Sequence, residues 1–234
     1  MIRLGITGTD TGVGKTLVTA ALAALLAQGG RRVAAMKPIE TGLDPDTRRD
    51  ERGQPSDHEL LAEAAGADDA PDAVCPLLLP DPLAPLVAAR LADTTIDLRE
   101  LDHAMTTLAE GRDALLVEGA GGLLVPIVEG MAFDALFARW RLEVVVVAAN
   151  RLGCLNHTAL TVAACRHAGL TVRGVVLNEV TTPDAHDLAR ATNAEVLREL
   201  LPGIPVMPFP HQPAPRDVRA LAAAAAAAGL ASLL

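Results

Sequence analysis

An apolar run, a glycine-rich turn and a helical pattern follow one another without a break at the start of this chain, and that order constrains it more than any other feature. Residues 2–7 lead straight into Gly8-Thr9-Asp10-Thr11-Gly12-Val13-Gly14-Lys15-Thr16, and a helix-like segment runs on to residue 28. In such a turn the backbone N–H groups wrap phosphate oxygens. The helix N-terminus adds partial positive charge, and the lysine bridges the outer phosphates. The strand before and the helix after distinguish a triphosphate loop from a chance Gly-Lys-Thr. The spacing departs from the common pattern in one respect: Thr9 stands where the first glycine is expected, and Gly8 precedes it, so the loop is one residue longer.

With 234 residues, 50% hydrophobic and 21% charged, the chain is expected to form one large domain, residues 1–234, with a substantial core. A formal net charge of −9 argues against a general nucleic-acid binder, and positive charge must be local, as at Lys15 and Lys37. Aromatic residues make up 2%, too few for base-stacking platforms. The three cysteines, Cys75, Cys154 and Cys165, form no CxxC pair, which predicts a reducing, cytoplasmic setting without a disulfide framework. No signal peptide is expected, since the first strand begins almost at once. The alanine-rich stretch 220–234 contains Gly229 and falls short of a membrane span, so it reads as a terminal packing helix. The six histidines lack metal-ligand spacing and read as ordinary residues.

Apolar runs and helical patterns alternate along the chain. Strands are predicted near 2–7, 32–37, 114–118, 143–149, 171–178 and 204–207, and helices near 14–28, 57–65, 98–110, 133–140, 157–168 and 184–200. The continuous apolar runs 115–117 and 144–147 suit strands buried on both faces of a parallel sheet. The expected fold is α/β, a doubly wound and mainly parallel sheet with helices on both faces, binding ligands at the C-terminal strand ends. Residues 43–55 read as a mobile polar loop and 76–85 as a proline-rich connection, neither of them a domain linker.

Several residues at those strand ends could carry chemistry. Lys37 closes the second strand, where it is either a solvated lysine or a clamp for an anion opposite the phosphate loop. Asp57 either caps the helix it opens or ligates magnesium. Glu118 ends an apolar strand where a metal-binding carboxylate is expected, with the Thr16 hydroxyl on the same ion. The glycines at 119, 121 and 122 allow close main-chain approach to an anion. Asn178 ends another strand and either forms a turn or pairs with the edge of a purine. Residues 153–157 read as a loop entering a helix, with Asn156 as the cap, at an end suited to a carboxylate.

Taken together, these segments resemble the dethiobiotin synthetase family, P-loop NTPase-fold enzymes of biotin biosynthesis. The resemblance rests on the long loop 8–16, on Lys37-Pro38 with Thr41-Gly42, on Glu118-Gly119-Ala120-Gly121-Gly122, on Leu152-Gly153-Cys154-Leu155-Asn156-His157, and on Asn178. It spans residues 2 to about 210. It implies ATP-dependent carboxylation and ring closure of 7,8-diaminononanoate with CO2, through a carbamate and a mixed carbamic–phosphoric anhydride. It also implies that Thr11, Gly12, Val13, Gly14, Lys15 and Thr16 bind ATP and that Asn178 reads adenine. Mg2+ would be held by Thr16, Asp57 and Glu118. Lys15, Lys37 and Thr41 would serve catalysis, and Thr41, Gly121 and Gly122 would position the carbamate. The family's homodimer would place Cys154, Leu155 and Asn156 at the remote carboxylate of the substrate bound by the partner subunit. The chain departs from many members in reading Ala84-Pro85-Leu86 for Ser-Pro-His and from some in carrying Gly12 for an acidic residue, and it matches only loosely over 208–213.

Two rivals share the fold. A partition-type switching ATPase would carry an extra lysine early in the loop, where Asp10 and Thr11 stand, and a basic amphipathic tail, where alanines stand. The synthase domain of corrin-ring amidation would need a glutamine-hydrolysing domain, for which no length is left after Asn178.

Overall fold

The computed structural model describes residues 1–182 and 186–234. In chain order the first half forms β1 (Ile2–Gly8), α1 (Lys15–Gln28), β2 (Val33–Met36), β3 (Ile39–Thr41), α2 (Asp57–Ala65), α3 (Pro71–Val74), β4 (Leu77–Leu79), α4 (Pro85–Leu91) and α5 (Leu98–Ala109). The second half forms β5 (Ala114–Gly122), β6 (Pro126–Val128), β7 (Met131–Ala132), α6 (Phe133–Arg139), β8 (Glu143–Ala149), α7 (Cys154–His167), β9 (Val172–Asn178), α8 (Leu188–Leu200), β10 (Val206–Phe209) and α9 (Val218–Ala227). A 3-10 turn, Leu230–Leu233, follows.

Six strands make one parallel sheet in the order β10-β9-β8-β1-β5-β2. Both of its faces are covered, which is why its strands are apolar without alternation. Alternate residues of each strand serve opposite cores. Leu4, Ile6, Ala114, Leu116, Val145 and Val147 pack with α1, α2 and α9, whereas Leu115, Val117, Val144 and Val146 pack with α5, α6 and α7. Helix α1 is buried nearly all round, with Val18 and residues 20–24 at 1% exposure or less. Its alanines let the sheet, α2 and α9 approach it from several sides.

From β1 the chain crosses to the edge strand β2, returns to β5 between them, and then continues on the other side of β1 to β8. Connections therefore diverge at the C-terminal end of β1, the place where such sheets open a crevice. Register sets what points into it. Glu118 pairs with Ile6 and is in phase with Leu116, so its side chain lies on the α1 face. Beyond it the pairing slips to Gly8 with Gly122, and the end of β5 pulls away from regular register.

All six large-sheet strands overlap their predicted positions, but β5 runs on through the glycines to Gly122, so Glu118 lies inside that strand and does not end it, and β10 starts two residues later than expected, at Val206. The helix expected over 157–168 starts three residues earlier, at Cys154, because Gly153 takes a φ of +93° and turns the chain directly into the helix. The helix expected over 184–200 is described as α8 from Leu188, and residues 184 and 185 lie outside the described residues. The proline-rich connection contains β4 and leads into α4, with Pro85 at the helix start, where its missing N–H costs nothing. Loop 43–55 is built of Asx turns, with Asp44 Oδ1 accepting the N–H groups of Asp46 and Thr47, and Asp50 Oδ1 those of Arg52 and Gln54. Among the described residues no helix is long and apolar enough to cross a membrane.

Candidate active site

The loop between β1 and α1 is shaped by close approach. A Cβ on Gly8 would stand 2.7 Å from the Asp10 carbonyl oxygen and 3.1 Å from Lys15 Nζ. Lys15 folds back over the loop and donates from Nζ to that same carbonyl at 3.2 Å. Val13 is buried and anchors the loop, while Gly12, at φ +73°, has open space beside it. Gly14 precedes the helix in a left-handed conformation, and no side chain caps α1. With no acid in its first turn, α1 leaves N–H groups and a partial positive charge for an anion.

Two cations and two acids meet beside this loop. Lys37 leaves the end of β2 and donates to Glu118 Oε1 at 3.0 Å and to Asp57 Oδ2. Thr16 Oγ1 donates to the same Glu118 oxygen at 2.9 Å. Burial alone would push the Lys37 ammonium down, but the carboxylates of Glu118 and Asp57, with Glu40 behind them, carry it well above the usual lysine range. Burial lowers the Lys15 ammonium, with Glu118 opposing. Burial also raises the Glu118 carboxyl despite Lys37, whereas Asp57, which burial would raise, is held low by Lys37. Oε2 of Glu118 is buried and has no hydrogen-bond partner among the described residues. One hydroxyl and two carboxylates, with a buried lone pair to spare, form the hard oxygen set that Mg2+ prefers, so the residues present fit such an ion.

A cavity of about 370 Å³ joins these groups: Thr11, Gly12, Gly14, Lys15, Thr16, Lys37, Thr41, Asp57, Glu118 and Gly121 all border it. It shares Thr11, Thr41, Ala120 and Gly121 with a second groove of about 450 Å³, whose far wall is Pro82, Leu83, Pro85 and Val125. Gly122 borders a third hollow, on the α7 side.

Other residues singled out from the sequence take different places or roles. Asp57 is not the cap of α2, since Ser56 takes that place and accepts from Glu59 N. Cys154, Leu155 and Asn156 form the first turn of α7 away from the cavity lining, with Cys154 buried and Asn156 exposed. Asn156 is not the cap expected of it either: Gly153 occupies the cap position, and no side chain accepts there. Asn178 is 1% exposed, and its Nδ2 donates to the Val13 carbonyl at 2.9 Å, while Oδ1 is buried without a partner among the described residues. The asparagine thus braces the phosphate loop, a role its strand-end position did not indicate.

Two further clusters had no signal in the spacing. Glu40, His58 and Cys75 are buried, with ligand-capable atoms all within 4.8 Å of one another, although they come from three segments. The histidine set aside as ordinary is therefore part of the site's support. At the ends of β8 and β9, Asn150 N donates to Asn178 O at 2.8 Å, Asn193 Nδ2 donates to Asn150 Oδ1 at 2.8 Å, and Arg190 Nε donates to Asn150 O at 3.0 Å. These bonds hold the strand end that carries Asn178.

A family profile described as an AAA domain matches residues 3–208. A protein of Thermodesulfovibrio yellowstonii is 39% identical over 213 residues, 87% of each chain. One of Anaeromyxobacter dehalogenans strain 2CP-1 is 43% identical over 212 residues, 88% of this chain and 92% of the relative. One of Aquifex aeolicus is 37% identical over 199 residues, 85% of this chain and 84% of the relative. All three bear the name ATP-dependent dethiobiotin synthetase. Among solved structures, a ParA family ATPase from Chlorobium tepidum aligns with a TM-score of 0.54 at 15% identity, over 100% of this chain and 95% of that one. The cell-division protein MinD of Aquifex aeolicus aligns at 0.53 and 16%, over 96% and 87%. At that identity these two establish the shared P-loop NTPase architecture and nothing more.

Proposed function

The chain belongs to the dethiobiotin synthetase family, and from that premise we propose that its cavity closes the cyclic urea of dethiobiotin from 7,8-diaminononanoate, CO2 and ATP. The activity is that of an ATP-dependent cyclo-ligase. The observation that carries the reading is the convergence of Lys15, Lys37, Thr16, Asp57 and Glu118 on one cavity at the end of an open phosphate loop.

The reaction starts when one amine of the substrate takes up CO2 and releases a proton, giving a carbamate. A carbamate oxygen then attacks the γ-phosphorus of ATP, and the bond to the β-phosphate oxygen breaks. The second amine attacks the carbamoyl carbon of the mixed anhydride, losing a proton as the ring closes and phosphate leaves. None of these steps needs a protein nucleophile. What they need is alignment and fixed positive charge. Lys15 and the loop N–H groups of residues 11–16 hold the phosphates. Lys37 stands between loop and acids, where its ammonium stabilises the charge shared by carbamate and γ-phosphate. Thr41 and Gly121 border both cavity and groove, which suits positioning of the carbamate with Gly122 beside them. Mg2+, which Thr16, Asp57 and Glu118 would hold, neutralises charge on the phosphate oxygens when bound. Asn178 has spent Nδ2 on Val13, and its Oδ1 is buried, so it would accept from the amino group of adenine only once the residues covering it part on nucleotide binding.

The apolar wall of the adjoining groove suits the methylene chain of the substrate. Its remote carboxylate would meet the first turn of α7 of the partner subunit at Cys154, Leu155 and Asn156, a turn with no acidic residue and no capping side chain. Exposed apolar residues Leu83, Val87, Leu124 and Leu160 support a homodimer interface beside the groove. Three free, buried cysteines agree with a cytoplasmic setting.

Purified protein incubated with diaminononanoate, bicarbonate, Mg2+ and ATP should form dethiobiotin, detected by mass spectrometry, and omission of any one component should abolish it. ATP hydrolysis without dethiobiotin would favour the switching ATPase instead.

A further inference from the structure

Glu40 has no part in the reaction above, yet it is 5% exposed and borders the cavity. It is the middle residue of β3, and both of its carboxylate oxygens turn toward α2. Oε1 accepts Asp57 N at 2.7 Å, and Oε2 accepts His58 N at 3.2 Å and lies 2.7 Å from His58 Nδ1. The first N–H groups of a helix have no partner within it. In α2 those of Asp57 and His58 go to Glu40, and that of Glu59 goes to Ser56. The start of α2, and with it the backbone of Asp57, is thereby fixed to Glu40 of β3, three residues from Lys37 along the chain and next to Thr41.

His58 completes the arrangement. It is 1% exposed, and its Nε2 faces Arg48 Nη1 at 3.2 Å and Ser56 Oγ at 3.3 Å. A proton on Nδ1, assigned from this network, lets the ring donate to Glu40 and accept from Arg48. Arg48 in turn pairs with Asp72 of α3. The nearby Cys75 suggests a metal site, but its Sγ donates to Leu77 O at 3.4 Å and burial pushes its thiol far up. A metal would also have to displace the Arg48 guanidinium from the ring. The donors are already satisfied as a hydrogen-bonded brace.

We propose that Glu40, locked by His58, is a positioning residue that sets Asp57 against Lys37 and the cation site, and so ties loop 43–55 to the reacting groups. The inference rests on the proposed ligase reading for its kinetic test alone. The variants Glu40→Ala, Glu40→Gln, His58→Ala and His58→Asn are compared with the parent for kcat, ATP KM, Mg2+ half-saturation, ligand-free Tm and zinc content. Binding of Mn2+ with ADP is followed separately by electron paramagnetic resonance.

Partners that orient a ligating side chain typically matter by about 10–100-fold, so Glu40→Ala should lower kcat and weaken Mg2+ and Mn2+ by at least about tenfold. ATP KM should change far less. Glu40→Gln keeps an acceptor for Asp57 N and His58→Asn keeps a donor to Glu40, so each should recover much of what its alanine counterpart loses. The proposal is overturned if Glu40→Ala lowers Tm while kcat and cation affinity stay within about twofold, or if glutamine and alanine are equally impaired. It is also overturned if the parent carries one zinc per chain that His58→Ala loses. A parent that makes no dethiobiotin would defeat the ligase reading, and the Mn2+ titration would still decide the brace.

Discussion

Replacing Gly14 by alanine probes the joint between phosphate loop and Asn178. Two costs can be read from the structure. Gly14 has φ +91°, and a residue with a Cβ pays about 1–2 kcal/mol there. The new Cβ would also overlap Asn178 Nδ2, far inside van der Waals contact. The amide must swing away, and its bond to the Val13 carbonyl breaks in a site where Asn178 is 1% exposed. Leaving that buried acceptor unmet costs about 1–3 kcal/mol. The sum is about 2–5 kcal/mol, and at about 2–4 °C per kcal/mol for a chain of this size the Tm should fall by about 4–20 °C. A thermal double-mutant cycle separates the parts. In an Asn178→Ala background the clash is gone, and Gly14→Ala should cost only the backbone share, about 1–2 kcal/mol. Strict additivity of the two substitutions, or a Gly14→Ala Tm within about 2 °C of the parent, would refute the reasoning.

Lys15→Ala should reduce dethiobiotin formation by at least about 10²–10³-fold at saturating ATP, as loss of a preorganised charge does, and undiminished turnover would remove Lys15 from the chemistry. Lys37→Met should cut kcat by a similar factor of about 10²–10³ with ATP KM little changed, and a loss confined to ATP affinity would contradict its place at the carbamate. Asn178→Ala should lower Tm, because its amide braces the loop, and on the proposed base-reading role it should also narrow the preference for ATP over GTP in competition kinetics; unchanged selectivity would move base reading to residues 208–213. Gly5→Ala should destabilise by about 1–3 kcal/mol without touching the site, since its Cβ would press within 2.8 Å of the Phe137 ring, and a calorimetric Tm equal to the parent's would show that ring free to yield.

The large sheet was legible because its strands are buried on both faces and read as apolar runs, as at 115–117 and 144–147. Strand-end residues could be singled out for the same reason: once the strand is placed, Lys37 and Glu118 stand at the edge where a parallel sheet binds ligands. The pieces that escaped are too short to carry a period. β3, β4 and β6 have three residues each and β7 has two. Glu40 and His58 escaped with them, since only β3 brings that acid under the start of α2. Asn156 was misread as a cap because side-chain capping is the common solution, whereas Gly153 ends the loop in a left-handed turn instead. The bond by which Asn178 braces the phosphate loop could not be inferred from its strand, because its partner, the Val13 carbonyl, lies 165 residues away in the chain.

In the proposed reaction a carbamate oxygen attacks the γ-phosphate in the cavity shared by Lys15, Lys37, Asp57 and Glu118. Carbon dioxide labelled with oxygen-18, supplied with diaminononanoate and ATP and quenched before the label exchanges with water, tests it most directly. Each phosphate released should carry one labelled oxygen, in step with dethiobiotin. Unlabelled phosphate, with the ring still formed, would contradict it.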